Sequence, residues 1–587
     1  MCPHIFKIAA IKENQVKQIS SATLAAIAGV LLFTFGCAGK TTPTAAKETS
    51  AEPALKSISS ASILQNIKTL SSDEFEGRSP GTRGEKITTD FIAKQFTQMG
   101  LAPGNPDGSY FQNVPLVGTL SKPALSYTVA GKTVTLKPSD DFVAWSPRQE
   151  ATVSIKQSEM VFVGYGVVAP EYGWDDYKGM DLRGKTVIML INDPAIPDPK
   201  DASKLDPAMF EGNAMTYYGR WTYKYEMAAK LGAAAAIIVH ETKAASYPYE
   251  VVRNSWGREN FTVKMAGIHP DFPAVPGWMH LDRSKELFRA SGLDFEVLKK
   301  AALSKNFKPV KLGAVANFEV KNTWQDVASK NVVAKIEGSD PVLKNEYIVY
   351  TAHWDHFGID ETLPGPRTQQ IYHGAVDNAS GVAALLELAK AFKAMPVAPR
   401  RTIVFLAVTA EERGLLGAQY YAQHPLYPLS KTLVNINMDG MNTWGRTRDV
   451  AIVGYGKSDA DDIVARVAAT QGRSVVAAPR PEAGSFYRSD QFEFAKQGVP
   501  VVYAKSSDSY IGKPANYAEL KADDYVAHSY HKVTDIVRDD WDLSGALEDV
   551  QMLFLVGLDV AQGSVYPQWK AGAEFKAKRD EMMSRRR

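Results

Sequence analysis

Six side chains able to ligate a metal or carry a proton sit in the C-terminal half of the chain, most of them just after an apolar run. His353 follows EYIVYTA, Asp377 opens DNASGVAALLELAKAF, Glu411 and Glu412 follow TIVFLAVTA, Asp439 follows TLVNINM, and His531 stands in SYHKVTD. Imidazole and carboxylate without thiolate describe a hydrolytic metal site rather than a structural one. Two hydrolytic cations need a shared anionic bridge, further ligands for each, and a base beside the bound water. Asp377, in a turn with Asn378 and Gly381, is placed to bridge. Glu411 and Glu412 are adjacent and cannot share one job, so one is expected to ligate while the other handles protons. In His353-Trp354-Asp355, positions i and i+2 of an extended segment face one side, so Asp355 is expected to hold the His353 ring in its ligating tautomer.

These residues need a frame. Strand-like runs at 346–352, 402–409, 432–438 and 499–504 alternate with helical patterns at 379–396, 413–424, 459–471 and 544–561. That alternation predicts an α/β fold over 311–572, with a mostly parallel, doubly wound sheet, and ligands gather outside the carboxyl ends of such strands. Residues 56–125 open with two amphipathic helical patterns, the first carrying Ile63, Ile67 and Leu70 on one face. Residues 126–310 change to short β-rich runs with a helix-then-strand segment, WTYKYEMAAKLGAAAAIIVH, and read as a second, inserted domain. His240, His269 and His280 are isolated there and read as structural or surface residues. Residues 573–587, ending SRRR, read as a solvated basic helix or tail.

A chain of 587 residues exceeds a single core. Its composition, 45% hydrophobic and 22% charged with net charge +2, is globular and offers no basic surface for nucleic acid. The two cysteines, Cys2 and Cys37, lie at the N-terminus, which leaves the body without disulfides or zinc thiolates. Lys7, Lys12 and Lys17 precede the apolar run 22–36, too short to span a bilayer, so residues 1–37 read as an export signal. Gly36-Cys37-Ala38 resembles a bacterial lipoprotein cleavage site, although Thr34 and Phe35 depart from its pattern. On this reading Cys37 carries a lipid, residues 38–55 form a flexible tether, and the mature protein is anchored at the bacterial cell envelope.

TAHWDHFG, GAVDNASGVAALLELA, FLAVTAEERGLLGAQYYA, NINMDG, FYRSDQFEFAKQGVPVV and YHKVTD stand in an order and spacing that resembles the co-catalytic di-zinc aminopeptidases, family twenty-eight of the metallopeptidases, related to glutamate carboxypeptidase. SSDEFEGRSPGTRGE and YPQWKAGAEFKAKRD extend the resemblance over most of 56–580, and residues 126–310 resemble the protease-associated domain inserted in such proteins. The resemblance implies two zinc ions, one held by His353, Asp377 and Asp439, the other by Asp377, Glu412 and His531. Asp377 then bridges and Glu411 is the general base. It also implies peptide substrates and release of the N-terminal residue, with Tyr530 or Tyr487 as donor to the developing oxyanion. His356, His373 and His528 are expected to line the pocket or support ligands, and Asp360 and Glu361 to be loop charges. A metallocarboxypeptidase would need an arginine patch, for which Arg367, Arg413 and Arg488 form no evident cluster. A glutaminyl cyclase-like transferase would keep fewer ligands.

Overall fold

The computed structural model describes residues 51–564 and 566–585. The expected export signal, Cys37 and most of the tether lie outside them. The last tether residues belong to a helix, Glu52–Ser57, that buries Ala54. Helix α1 (Ser60–Leu70) buries Ile63, Ile67 and Leu70, the stripe expected from their spacing. Helix α2 (Arg83–Gln98) starts at Thr82, whose hydroxyl accepts the Glu85 N–H, a cap that satisfies one of the free N–H groups of the first turn.

The chain then enters the long strand β1 (Phe111–Val129) and an inserted lobe containing β2 (Thr152–Phe162), β3 (Thr186–Leu190), helix α3 (Trp221–Lys230), β4 (Ala235–His240) and β5 (Val275–His280). It returns on β6 (Val310–Ile336), continues as β7 (Tyr347–His353) and helix α4 (Ser380–Lys393), then β8 (Thr402–Val408), helix α5 (Leu416–Gln423), β9 (Thr432–Asn437) and β10 (Val501–Val502). Helices α6 (Tyr517–His528) and α7 (Ser544–Gln562) follow.

Pairing runs β10-β9-β7-β8-β6-β2-β3-β4-β5. Strands β10, β9, β7 and β8 are mutually parallel, and β6 closes that patch antiparallel to β8. In the inserted lobe β2, β3, β4 and β5 are also parallel. The lobe is of mixed β/α type, with helices such as α3 carrying the crossovers that parallel strands require. β1 lies antiparallel along β6 in unbroken register from Phe111↔Val332 to Val129↔Ala314. The expected boundaries at 125/126 and 310/311 thus fall on strands that run on through both halves.

Every residue of β8 and of β9 is buried; β8 reads as a nearly continuous apolar run, and the buried Asn435 and Asn437 of β9 are hydrogen-bonded to Thr351 and Ser489. One face of the C-terminal part of the sheet packs against α1, α2, α4 and α7, the other against α5 and the segment 486–503. Two further clusters cover the faces of the inserted lobe. The tail forms a helix, Lys576–Ser584, whose one buried residue, Arg579, donates to the carbonyls of Leu429 (3.3 Å) and Thr432 (3.2 Å).

Candidate metal centre

The parallel register aligns the carboxyl ends of three neighbouring strands. His353 is the last residue of β7 and pairs with Val408, the last of β8. Glu411 and Glu412 follow β8 on a short turn, and Asp439 follows β9. Successive connections leave β7 first toward β8 and then cross back to β9, so the crevice opens where the strand order reverses. Asp377 sits in the turn ahead of α4. Asn378 shapes that turn, accepting the N–H groups of Gly381 (2.9 Å) and Gly440 (3.1 Å) and donating to Met438 O (3.0 Å). A Cβ on Gly381 would lie 2.2 Å from the Asn378 side chain, which only glycine avoids. His531 comes from the loop after α6.

His353 Nε2 lies 3.3 Å from Asp377 Oδ1, 3.5 Å from Asp439 Oδ1 and 3.9 Å from Glu411 Oε2. His531 Nε2 lies 3.3 Å from the other Asp377 oxygen, Oδ2, and 3.2 Å from Glu412 Oε2. Asp377 thus turns one oxygen to each imidazole. His353 Nε2 is buried and forms no hydrogen bond despite the oxygens around it. A tetrahedral cation with ligand bonds of about 2.0–2.1 Å holds neighbouring donors about 3.3 Å apart, the spacing found here. The donor set therefore fits two divalent cations of the zinc type. His356 also lies among the donors near Asp377 and Glu412, but its Nδ1 meets Glu412 Oε1 at 2.5 Å, the oxygen turned away from His531. That makes His356 a support for Glu412.

The electrostatics follow from crowding buried acids and imidazoles. Burial pushes the His353 ring down, but Glu411, Asp377 and Asp439 outweigh it and hold its pKa well above the usual range. Burial likewise opposes ionisation of Asp377, and the imidazoles of His353 and His531 beside its two oxygens reverse the effect, keeping it well below the usual carboxylate range. Glu411 behaves oppositely: burial, reinforced by Asp439 and Glu412, holds its carboxyl well above the usual value despite the opposing His353 charge. Burial and Asp377 oppose ionisation of the neighbouring Glu412, but His531 and His356 hold it down to about 2, so the two adjacent carboxyls are pushed apart, one kept ionised and one inclined to hold a proton.

Asp355 does not act as expected. His353 Nδ1 donates to the main-chain carbonyl of Asp355 (3.2 Å), while the carboxylate stands 3.8 Å away. The Asp355 carboxylate accepts the N–H groups of Glu411 (2.9 Å) and Glu412 (3.4 Å) instead. The strand ends at His353, so the alternation of an extended strand no longer governs the direction of the Asp355 side chain. Tyr487 is likewise removed from any oxyanion role: it is buried, and its hydroxyl donates to Glu574 (2.7 Å) within an aromatic core. Tyr530 stays at the site, 39% exposed, its ring stacked 3.8 Å over His531. His373 meets Asp73 (2.8 Å) and His528 meets Asp524 (2.9 Å), both apart from the donors. Asp360 pairs with Arg258 (2.6 Å).

Three supporting residues were not singled out from the sequence. Arg78, fully buried, donates to the carbonyls of Leu70, Trp354, His373 and Gly374 at 2.6–2.9 Å. Asp535 accepts the N–H groups of Val376 (3.2 Å) and Asp377 (3.1 Å) and so fixes the bridging turn. Asp490 is buried with neither oxygen hydrogen-bonded, and burial holds its carboxyl well above the usual range. The only sequence signals were that Arg78, Asp490 and Asp535 fall inside the matching stretches around Glu76, Tyr487 and His531.

A cleft of about 1800 Å³ opens over the donors. Asp377, Glu411, Glu412, Asp439 and His531 form one wall, and Trp145, Arg220, Trp221, Tyr247 and Trp256 of the inserted lobe form another. Trp221 and Trp256 pack edge to face at 5.6 Å. The WTYKY segment therefore contributes a cleft surface as well as packing.

Residues 331–555 match the model of Peptidase family M28. A segment of 113 residues is 34% identical to Aminopeptidase YwaD of Bacillus subtilis, covering 19% of this chain and 22% of that protein. Another of 132 residues is 32% identical to Aminopeptidase NAALADL1 of Mus musculus, covering 22% and 16%. A third, of 96 residues, is 45% identical to a probable zinc metalloprotease of Pyrenophora teres f. teres, covering 16% and 18%. The matched segments span no more than about a fifth of these relatives' own length. Among solved structures, an aminopeptidase from Aneurinibacillus sp. strain AM-1 aligns over 88% of this chain and 97% of that one, at 17% identity and a TM-score of 0.48.

Proposed function

We propose that this chain, whose residues 331–555 are a Peptidase family M28 domain, is a zinc-dependent exopeptidase that removes the N-terminal residue of peptides. The observation that carries the reading is the shared aspartate: His353 and His531 each approach a different oxygen of Asp377 at 3.3 Å. His353, Asp377 and Asp439 would hold one zinc ion, and Asp377, Glu412 and His531 a second. When bound, the ions supply Lewis acidity that polarises the scissile carbonyl and acidifies water.

The protein's own groups do the rest. Glu411 takes the proton from the attacking water on its carboxylate and returns it to the leaving amine. Its burial, which favours the protonated form, suits the second half of that task. Asp355 anchors the backbone of Glu411 and Glu412 and so fixes their aim. Tyr530, exposed beside His531, is positioned to donate its hydroxyl to the oxyanion. The acidic wall of Asp377, Glu411, Glu412 and Asp439 attracts a free ammonium group, which favours attack next to the N-terminus.

The test is zinc content per chain together with hydrolysis of a leucyl peptide and its N-acetylated twin, with and without chelator. We expect two zinc ions, chelator-sensitive cleavage of the free-amine peptide, and no cleavage of the blocked one. A single zinc would favour a glutaminyl cyclase-like transferase, and cleavage of the blocked twin a carboxypeptidase of the same fold. That second reading draws support from the arginines lining the cleft. The inserted lobe is read as a protease-associated domain. The leader is read as directing the protein to the bacterial envelope with a lipid on Cys37, which radiolabelled palmitate incorporation into wild type and Cys37→Ser would test.

A further inference from the structure

The stretch YPQWKAGAEFKAKRD, singled out in the sequence, supplies none of the metal donors. Its first half runs over the catalytic lobe to a junction with the inserted lobe. Asp459 N–H donates to Gln568 O (2.9 Å) and Lys570 N–H to Lys457 O (2.8 Å), so residues 568–570 pair with 457–459. Trp569 is buried and donates its indole N–H to Gly498 O (2.9 Å). Phe575, also buried, stacks on Phe486 (6.0 Å). Between these two anchors stands Glu574, whose carboxylate draws hydrogen bonds from both lobes. Oε1 accepts the main-chain N–H of Tyr217 from the inserted lobe (3.2 Å). Oε2 accepts the Tyr487 hydroxyl (2.7 Å) and the Lys457 ammonium (3.4 Å) from the catalytic lobe. Lys457 in turn meets Glu211 of the inserted lobe (2.9 Å).

The Lys457 and Glu574 side chains keep only 15% and 21% of their surface, so this is a shielded, charge-assisted contact rather than a solvated surface pair of little worth. The Tyr217 ring completes the junction against Phe492 (5.0 Å) and Tyr487 (6.0 Å), and Met215 N–H donates to Pro481 O (3.1 Å). Tyr217 lies in a tightly held turn that ends in the cleft. Asp193 accepts both the N–H (2.7 Å) and the hydroxyl (2.8 Å) of Thr216, and Gly219 O accepts the N–H of Asn192 (3.2 Å). A Cβ on Gly219 would lie 2.7 Å from the Met215 side chain. Arg220 and Trp221 follow directly and line the cleft that holds the metal donors. A turn packed this closely passes a shift at Tyr217 on to Trp221.

Resting on the aminopeptidase reading above, we propose that residues 568–575 are a strap between the lobes and Glu574 a positioning residue. By holding Tyr217 it sets the place of the Trp221 wall, against which the part of a peptide beyond the scissile bond lies.

Leucinamide ends at the scissile bond, whereas a leucyl tetrapeptide extends past it. In Glu574→Ala the KM for the tetrapeptide should rise about tenfold, while its kcat, both parameters for leucinamide and the zinc content stay within about twofold of wild type. Hydrogen exchange of the backbone amides of 213–221 should quicken at least about tenfold, with those of β7, β8 and β9 unchanged. Glu574→Gln keeps an acceptor for the Tyr217 N–H and should bring the tetrapeptide KM back to within about threefold of wild type. Unchanged exchange at 213–221 in Glu574→Ala, equal losses on both substrates, or a glutamine variant no better than alanine overturns the strap. Faster exchange with an unchanged tetrapeptide KM overturns the positioning role. If wild type cleaves neither substrate, the aminopeptidase reading fails, and the exchange rates still decide the strap.

Discussion

Replacing Arg78 by methionine removes the clamp behind the metal centre while nearly preserving side-chain volume. The guanidinium joins three places: the end of α1 at Leu70, the segment after β7 at Trp354, and the turn at His373 and Gly374 that leads to Asp377. Four buried carbonyls would lose their donor. At about 1 kcal/mol net for each hydrogen bond the loss is about 4 kcal/mol. Relief from burying a charge, which already holds Arg78 down to about 10, returns part of that, leaving about 3 kcal/mol. Against a folding stability of about 5–15 kcal/mol this is a large fraction. Urea unfolding of chelator-treated protein should show a lower midpoint at unchanged slope. Because the clamp also fixes the turn carrying Asp377, zinc affinity should fall at least about tenfold, a change of about 1.4 kcal/mol. An Arg78→Met protein within about 1 kcal/mol of wild type that keeps full zinc affinity would refute both the clamp and its link to the site.

Glu411→Gln should lower kcat by about 10²–10⁴-fold at unaltered zinc content, measured by steady-state kinetics and metal analysis; loss of metal with loss of rate would make Glu411 a ligand instead. Asp377→Asn should weaken both zinc ions together, whereas Asp439→Asn should spare the ion on Glu412 and His531; competitive chelator titration separates these outcomes. His240 gives a pH test away from the metal. Burial pushes its ring down from 6.5 to about 4, so between those values the unfolded chain binds more protons than the folded one. The stability contributed by neutral His240 is complete above pH 6.5 and is lost as pH falls toward 4. Melting temperatures of metal-free protein should therefore decline less steeply over that window in His240→Gln, and parallel curves would contradict the assignment.

The parallel half of the sheet was legible because its strands are short apolar runs bounded by turns, and each such run ends at a polar residue that has no place in a core. The length of β1 and β6 was hidden, since polar residues alternate along them as in any shorter strand with one wet face. Side-chain direction beyond a strand end was also hidden. Asp355 lies past the end of its strand, where alternation no longer applies, and Tyr487, one residue from Arg488 of the cleft, turns inward to Glu574. Arg78, Asp535 and Arg220 could not be weighed from sequence, because what distinguishes them is distance in the chain from their surroundings. Arg78 bonds to carbonyls almost three hundred residues on, and Arg220 lines the cleft with residues of both lobes. Arg579 is similar: a basic residue in a basic tail is read as wet until a carbonyl pair claims it.

The paired run of β1 along β6 has a mechanical consequence. Hinged enzymes usually join their halves by a few loose residues that absorb a change of backbone angle. Here hydrogen-bonded backbone spans the junction in unbroken register from Phe111↔Val332 to Val129↔Ala314, so the two walls of the cleft are joined by paired strands rather than by loose residues.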